Sequence, residues 1–285
     1  MRAITSSLLG LAFVFGLAAS GCAAEEASSD GGEGAQAQVA ASQPIGATNG
    51  AALVLDSVWK VTTIQSPDET SIHLYELGGG DPAINGTYLQ LSIGEMVWEL
   101  PSNILAVKSA KALRAGTIEI VGEQQAVDTE DGNPKTMPWK STVTYELKNG
   151  TLSTTISVDT NGTPETISAK TDTAAKFLSS VYAVTSAESE SLHARVFESG
   201  GGDPAMNGAH LYLALMNYPE VSVFPLGLDV NRVSKVEVDG KTRKVTIVGI
   251  EDTMDGSGTI TGKAFRKTFS VTEIEGVPSS VQLTP

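Results

Sequence analysis

One nine-residue stretch occurs twice in the chain, and it constrains the fold more than any other feature. Gly78-Gly79-Gly80-Asp81-Pro82-Ala83-Ile84-Asn85-Gly86 returns as Gly200-Gly201-Gly202-Asp203-Pro204-Ala205-Met206-Asn207-Gly208, with one apolar exchange. The flanks repeat in the same order. Ser57-Val58-Trp59 matches Ser180-Val181-Tyr182, and Tyr75-Glu76 matches Phe197-Glu198. Ile118 to Gly122 matches Val245 to Gly249, and Trp139-Lys140 matches Phe265-Arg266. Self-similarity in constant order is the mark of a duplicated structural unit. The copies are placed at residues 53–170 and 177–285. Residues 160–176, which have no counterpart in the second copy, are read as the connection with an extra edge strand.

Within each copy the apolar residues alternate. Leu89, Leu91 and Ile93 share one face of a strand, and Leu211, Leu213 and Leu215 take the same places in the second copy. That period marks half-buried strands of antiparallel sheets. Val233–Val238 and Lys244–Ile250 read as a hairpin around Asp239-Gly240, aligned with 107–113 and 117–121. Asn103–Leu113 alone would pass for a short helix, but its copy carries Val233, Val236 and Val238, which argues for a strand. Asn149-Gly150 signals a tight hairpin turn. Seven or eight short strands per copy predict an all-β fold of two tandem homologous antiparallel β-sandwich or small barrel domains. All three tryptophans, Trp59, Trp98 and Trp139, align with Tyr182, Phe224 and Phe265. Slots that accept any aromatic are expected in the core.

The N-terminal end has a different character. Arg2 precedes an apolar run from Leu8 to Leu17 and small residues close it at Ala18-Ala19-Ser20-Gly21, the form of a secretory signal spanning 1–21. Ala19-Ser20-Gly21-Cys22 resembles the lipobox of bacterial lipoproteins, with Ala19 at the place usually held by Leu. The resemblance implies a diacylglycerol on Cys22, cleavage before it, and partnership with a membrane through the lipid anchor. Ala23, in place of an aspartate, implies the outer membrane, so the chain is expected to be exported to the cell envelope. Residues 22–52 are read as the lipidated cysteine and a flexible tether, because 23–52 hold neither aromatic nor basic residues and have little to bury.

Charge and chemistry narrow the function classes. With 19 basic and 33 acidic residues the surface repels phosphate backbones, so no nucleic acid is expected as a partner. Cys22 is the single cysteine, which excludes an intramolecular disulfide. The glycine-rich loops are candidate binding loops through Gly80, Asp81, Asn85, Gly202, Asp203 and Asn207. Every residue there also has a turn-forming reason. Clustered N–H groups suit an anion, and the Asp/Asn pairs suit calcium. Asp128, Asp131, Asp252 and Asp255 are weaker calcium candidates in matching acidic turns. Otherwise no cofactor is expected.

The histidines, His73, His193 and His210, find no histidine at the aligned place, so both copies cannot share a histidine site. No nucleophile-elbow or zinc-protease motif occurs. The expected function is a non-catalytic binding module for an envelope protein or extracellular ligand, because two linked sites reinforce one another. A hydrolytic site at His193, Asp203 and His210 and a structural assembly subunit are the alternatives.

Overall fold

The alternation becomes four large antiparallel sheets packed as two sandwiches, beside one two-stranded ribbon, with no closed barrel among the described residues. The computed structural model describes residues 43–48, 50–78, 86–127, 134–200, 209–217, 220–254 and 260–284. In the first copy, β2 (Val58–Gln65), β3 (Ser71–Leu77), β4 (Thr87–Ile93) and β5 (Met96–Ile104) form a four-stranded meander. It faces a five-stranded sheet in the order β12-β11-β8-β7-β6, where β6 is Ala106–Arg114, β7 Thr117–Val127, β8 Pro134–Thr144, β11 Thr155–Thr160 and β12 Thr163–Ser168. The short β9 (Leu147–Lys148) and β10 (Thr151–Leu152) flank Asn149-Gly150, whose φ values of 53° and 75° are those of the expected tight turn.

The second copy repeats this plan. β13 (Val181–Ser189), β14 (Leu192–Ser199), β15 (Ala209–Asn217) and β16 (Glu220–Val230) form the meander. β17 (Arg232–Asp239), β18 (Lys244–Met254), β19 (Ile260–Ile274) and β20 (Val277–Thr284) form the facing sheet. Asn103–Leu113, ambiguous alone, is strand on both sides of Leu105.

Each sandwich has its own core. Ile72, Leu74, Leu89, Leu91, Trp98, Ile118, Ile120 and Trp139 pack in the first, and Val196, Leu211, Leu213, Phe224, Val245, Ile247 and Phe265 in the second. Four of the six aligned aromatics are thus core residues, as expected. Trp59 and Tyr182 are only partly buried.

One repeated glycine has a steric cause. A Cβ on Gly122 would sit 2.5 Å from the Ala106 carbonyl oxygen, and one on Gly249 would overlap the Arg232 carbonyl and press the Phe265 ring. Both face irregularities in the paired strand, at Val107/Ser109 and at Val233/Lys235. The bulge brings a backbone close enough that only hydrogen fits.

The copies are not beads on a string. Ala40–Pro285 cluster as one compact unit, because the outer faces of the two meanders pack on each other. Tyr75, Leu77 and Val97 meet Phe197, Ala214 and Val223 in a third core, joined by Val58 and Val181. Two short helices complete it. Ala51–Asp56 form a 3-10 helix that buries Ala52 and Leu55, and α1 (Thr173–Ser179) buries Ala175 and Leu178. Asp172 caps α1 by accepting from the Ala175 N–H at 2.8 Å, whereas Gly50 offers the first helix no side-chain cap.

These helices correct the expected boundaries. The end of the 160–176 segment, from Thr171, does have a counterpart, but it precedes the first copy. Thr48–Ser57 matches Thr171–Ser180, so the expected tether ends before residue 52. β1 (Ile45–Gly46) pairs with β20, Ile45 opposite Val281. β12, which leads into the second copy, pairs with β11, Ile167 opposite Ile156. The Thr48 N–H donates to the Val223 carbonyl and the Lys170 N–H to that of Val97, each at 2.7 Å. Each five-stranded sheet is therefore completed by the segment entering the other copy's helix.

The signal segment, Cys22 and the tether up to residue 42 lie outside the described residues, as do Gly80, Asp81, Asn85, Gly202, Asp203 and Asn207 of the two loops. Asp128, Asp131 and Asp255 also lie outside, and Asp252 is described only as a residue of β18, opposite Gly262. No helix among the described residues is long and apolar enough to cross a membrane.

Candidate functional site

The junction between the copies is almost two-fold in plan, and its asymmetry makes a cleft. Val58 and Val181 stand at equivalent bulges where the first strand of each meander shifts register, which leaves each carbonyl to be satisfied from elsewhere. Arg195 donates to the Val58 carbonyl at 2.9 Å. The Val181 carbonyl accepts from the Tyr75 hydroxyl at 2.8 Å, which also reaches the Leu178 carbonyl at 2.7 Å. Burial pushes the Tyr75 phenol well above its ordinary value, so it stays a neutral donor.

The residue in the first copy that aligns with Arg195 is His73. A ring there is shorter than a guanidinium, and Tyr75 already serves Val181. A cleft of about 870 Å³ lies at this place. Its first wall carries Thr63, Gln65, Ser71, His73 and the Gly94-Glu95 turn, and its second wall Lys176, Ser179, Ser180 and Tyr182. The volume suits a small organic ligand.

His73 is buried, and its ring is held at both nitrogens. Thr63 Oγ1 lies 3.1 Å from Nδ1 and Ser71 Oγ lies 2.9 Å from Nε2. The proton positions depend on the tautomer of the ring, and the Thr63 contact assigns it. Thr63 has one hydroxyl proton and gives it to the Tyr182 carbonyl at 3.1 Å. It therefore accepts from Nδ1–H, which leaves Nε2 as the acceptor for the Ser71 hydroxyl. Burial lowers the histidine pKa to about 4, so the ring is neutral at pH 7.

This Ser71–His73–Thr63 chain has the hydrogen-bond order of a nucleophile relay, but Thr63 takes the place where such relays hold a carboxylate. A hydroxyl already donating to a carbonyl stabilises an imidazolium poorly, and the burial of His73 opposes its protonation. The arrangement orients hydroxyls for binding better than it activates Ser71.

A second buried pair brackets the glycine-rich loops. The Val107 N–H donates to Glu76 Oε2 at 3.3 Å, and the Val233 N–H donates to Glu198 Oε2 at 3.2 Å. Each bond stitches the two sheets of one sandwich just before the loop. Lys60 Nζ lies 2.7 Å from Glu76 Oε1. The second copy has Ala183 where the first has Lys60, and burial raises the Glu198 carboxyl to about 7. The Tyr182 hydroxyl and Trp59 Nε1 are buried without a hydrogen-bond partner among the described residues.

His193 and His210, the pair of the alternative hydrolytic reading, are not brought together. His193 pairs with Met216 across β14 and β15, while His210 pairs with Ser199. Six residues of strand separate them, about 20 Å at strand rise. His193 instead approaches Glu188, Nδ1 to Oε2 at 3.3 Å. Among the described residues no group of three or more His, Cys, Asp or Glu is placed to hold a metal. Sequence reasoning missed Thr63, Ser71, Lys176 and Tyr182, which come from four separate segments. The one available signal was Ser71-x-His73, two polar residues on the same face of a strand.

No protein-family model matches the chain, and no curated protein matches it.

Proposed function

We propose that the chain is a lipid-anchored envelope protein, held through Cys22 at the outer membrane, whose duplicated β-unit is a non-catalytic binding module. The cleft between the copies is its ligand site. The observation that carries this reading is the exchange at one aligned position. Arg195 spans the junction to Val58, and His73 leaves room for an 870 Å³ cleft lined by oriented hydroxyls. Binding sites favour such junctions, where two rigid walls meet. An anion or calcium role for the glycine-rich loops is not needed by this reading.

Arginine is already accommodated at the aligned position, so His73→Arg is the natural variant for closing the cleft. Wild-type protein and His73→Arg are equilibrated with the small-molecule fraction of the host envelope and examined by native mass spectrometry. A bound mass on the wild type that His73→Arg lacks supports the site. Equal masses on both proteins, or none on either, contradict it. Radiolabelled fatty acid that follows the wild type and is absent from Cys22→Ser supports the anchor.

A further inference from the structure

Four hydroxyls that line the cleft, those of Thr63, Ser71, Ser179 and Ser180, are spent as donors, and this sets what they can bind. Thr63 gives its proton to the Tyr182 carbonyl, and Ser71 gives its proton to His73. Ser179 donates to the Lys176 carbonyl at 2.8 Å and Ser180 to the Phe177 carbonyl at 2.6 Å. A hydroxyl carries one proton and two lone pairs, so these oxygens face the cleft as acceptors. Ser180 is further committed, with the Ser199 hydroxyl 2.7 Å away as its donor.

The charges divide by wall. Glu95 belongs to the turn whose Gly94 N–H donates to the Ser71 carbonyl at 2.9 Å, so the carboxylate and the Ser71 acceptor share one end of the first wall. Lys176 projects from α1 on the second wall. His73 adds no charge. The cleft thus offers acceptors and an anion on one side and an ammonium on the other. A ligand rich in acceptors alone, such as a phosphate or a dicarboxylate, would meet lone pairs and Glu95. A simple cation would meet Lys176.

We propose that the cleft takes a small zwitterion with a primary ammonium and a carboxylate, an amino acid or short peptide. The ammonium donates to Ser71 and Glu95, and the carboxylate pairs with Lys176. This rests on the cleft being the ligand site, and it names the ligand class for that site. Charge-assisted bonds at both ends give orientation and discriminate against blocked termini.

The test is titration calorimetry on the purified protein with the twenty free amino acids and a set of dipeptides, each dipeptide with free termini, N-acetylated and C-amidated. Cellobiose serves as a neutral polyhydroxy probe. At least one free zwitterion is expected to bind, with acetylation or amidation weakening it tenfold or more. Lys176→Met should weaken the free dipeptide by a similar factor and leave its amide unchanged. Glu95→Gln should do the same for the free and acetylated forms. Equal binding of free and blocked dipeptides overturns the zwitterion. Binding of cellobiose alone, abolished in His73→Arg, overturns the ligand class and keeps the cleft as the site. No binding by any amino acid or dipeptide also overturns the class, and the envelope-extract experiment then decides separately whether the cleft is a site.

Discussion

Arg195 and His73 hold the same place in the two copies, yet only Arg195 crosses the junction, donating to the Val58 carbonyl at 2.9 Å. The duplicated halves need two such donors, one for each bulge carbonyl, and they obtain them from different residues. Tyr75 supplies the other. That division of labour frees His73 to face a cleft.

Tyr75→Phe installs the residue that the second copy carries at Phe197. It removes the one hydroxyl proton that the Leu178 and Val181 carbonyls share in a buried junction. Buried carbonyls left without a donor cost about 1–3 kcal/mol. Chemical denaturation should show that loss with an unchanged m-value, and an unchanged midpoint would mean that water or another group serves these carbonyls.

Gly122→Ala and Gly249→Ala should both destabilise, Gly249→Ala more, because its methyl group meets both a carbonyl and the Phe265 ring. Overpacking of this kind costs about 1–3 kcal/mol. Thermal melts of the two variants check the order. Gly46→Ala, where a Cβ has open space, is the control.

Glu198 sets a pH dependence of one sign. Its folded pKa, about 7, lies above the ordinary carboxylate value. The folded protein therefore holds a proton that the unfolded chain has released between about pH 4.5 and 7. The contribution is fully present below that window and is lost as pH rises through 7. Glu198→Gln keeps an acceptor for Val233 and should flatten this fall in urea titrations across the window. A wild-type stability that does not decline there contradicts a Glu198 carboxyl raised by burial.

His73 sets the opposite sign. Its folded pKa, about 4, lies below the ordinary histidine value. Its contribution is present above about pH 6.5 and is lost as pH falls toward 4, where the unfolded chain takes up the proton first. NMR of the ring should show a neutral imidazole at pH 5.5 with the proton on Nδ1. A charged ring at that pH would undo the hydrogen-bond order assigned to Thr63 and Ser71.

Much of the fold was legible in the residues. The alternation at Leu89, Leu91 and Ile93, the Asn149-Gly150 turn and the copy-to-copy alignment placed the strands and the all-β class, and left sandwich and small barrel open. The junction was not legible, for two reasons. Helices of six or seven residues, Ala51–Asp56 and Thr173–Ser179, hold too few apolar positions for a helical period to stand out. The composition of residues 23–52 also hides Ile45 and Ala52, whose burial depends on a sheet and a core built elsewhere in the chain. The residues of β3 from Ile72 to Leu77 are all buried, which His73 and Glu76 conceal in the sequence. An uninterrupted run of that kind belongs to a sheet covered on both faces. The cleft was illegible because a hydroxyl's role depends on its neighbour across the junction. The histidines at 193 and 210 were close in sequence to one loop, but the register puts them at opposite ends of their strands.

The account depends most on the two lead-in segments docking reciprocally, since that docking builds the junction and its cleft. Amide hydrogen exchange resolved at Thr48 and Lys170 measures it directly. Both N–H groups donate to edge-strand carbonyls at 2.7 Å, so both should exchange as slowly as core amides such as those of Leu91 and Leu213. Rapid exchange at Thr48 alongside protection at Leu213 would mean that the segment from Ile45 to Thr48 is not docked, and would contradict the reciprocal junction.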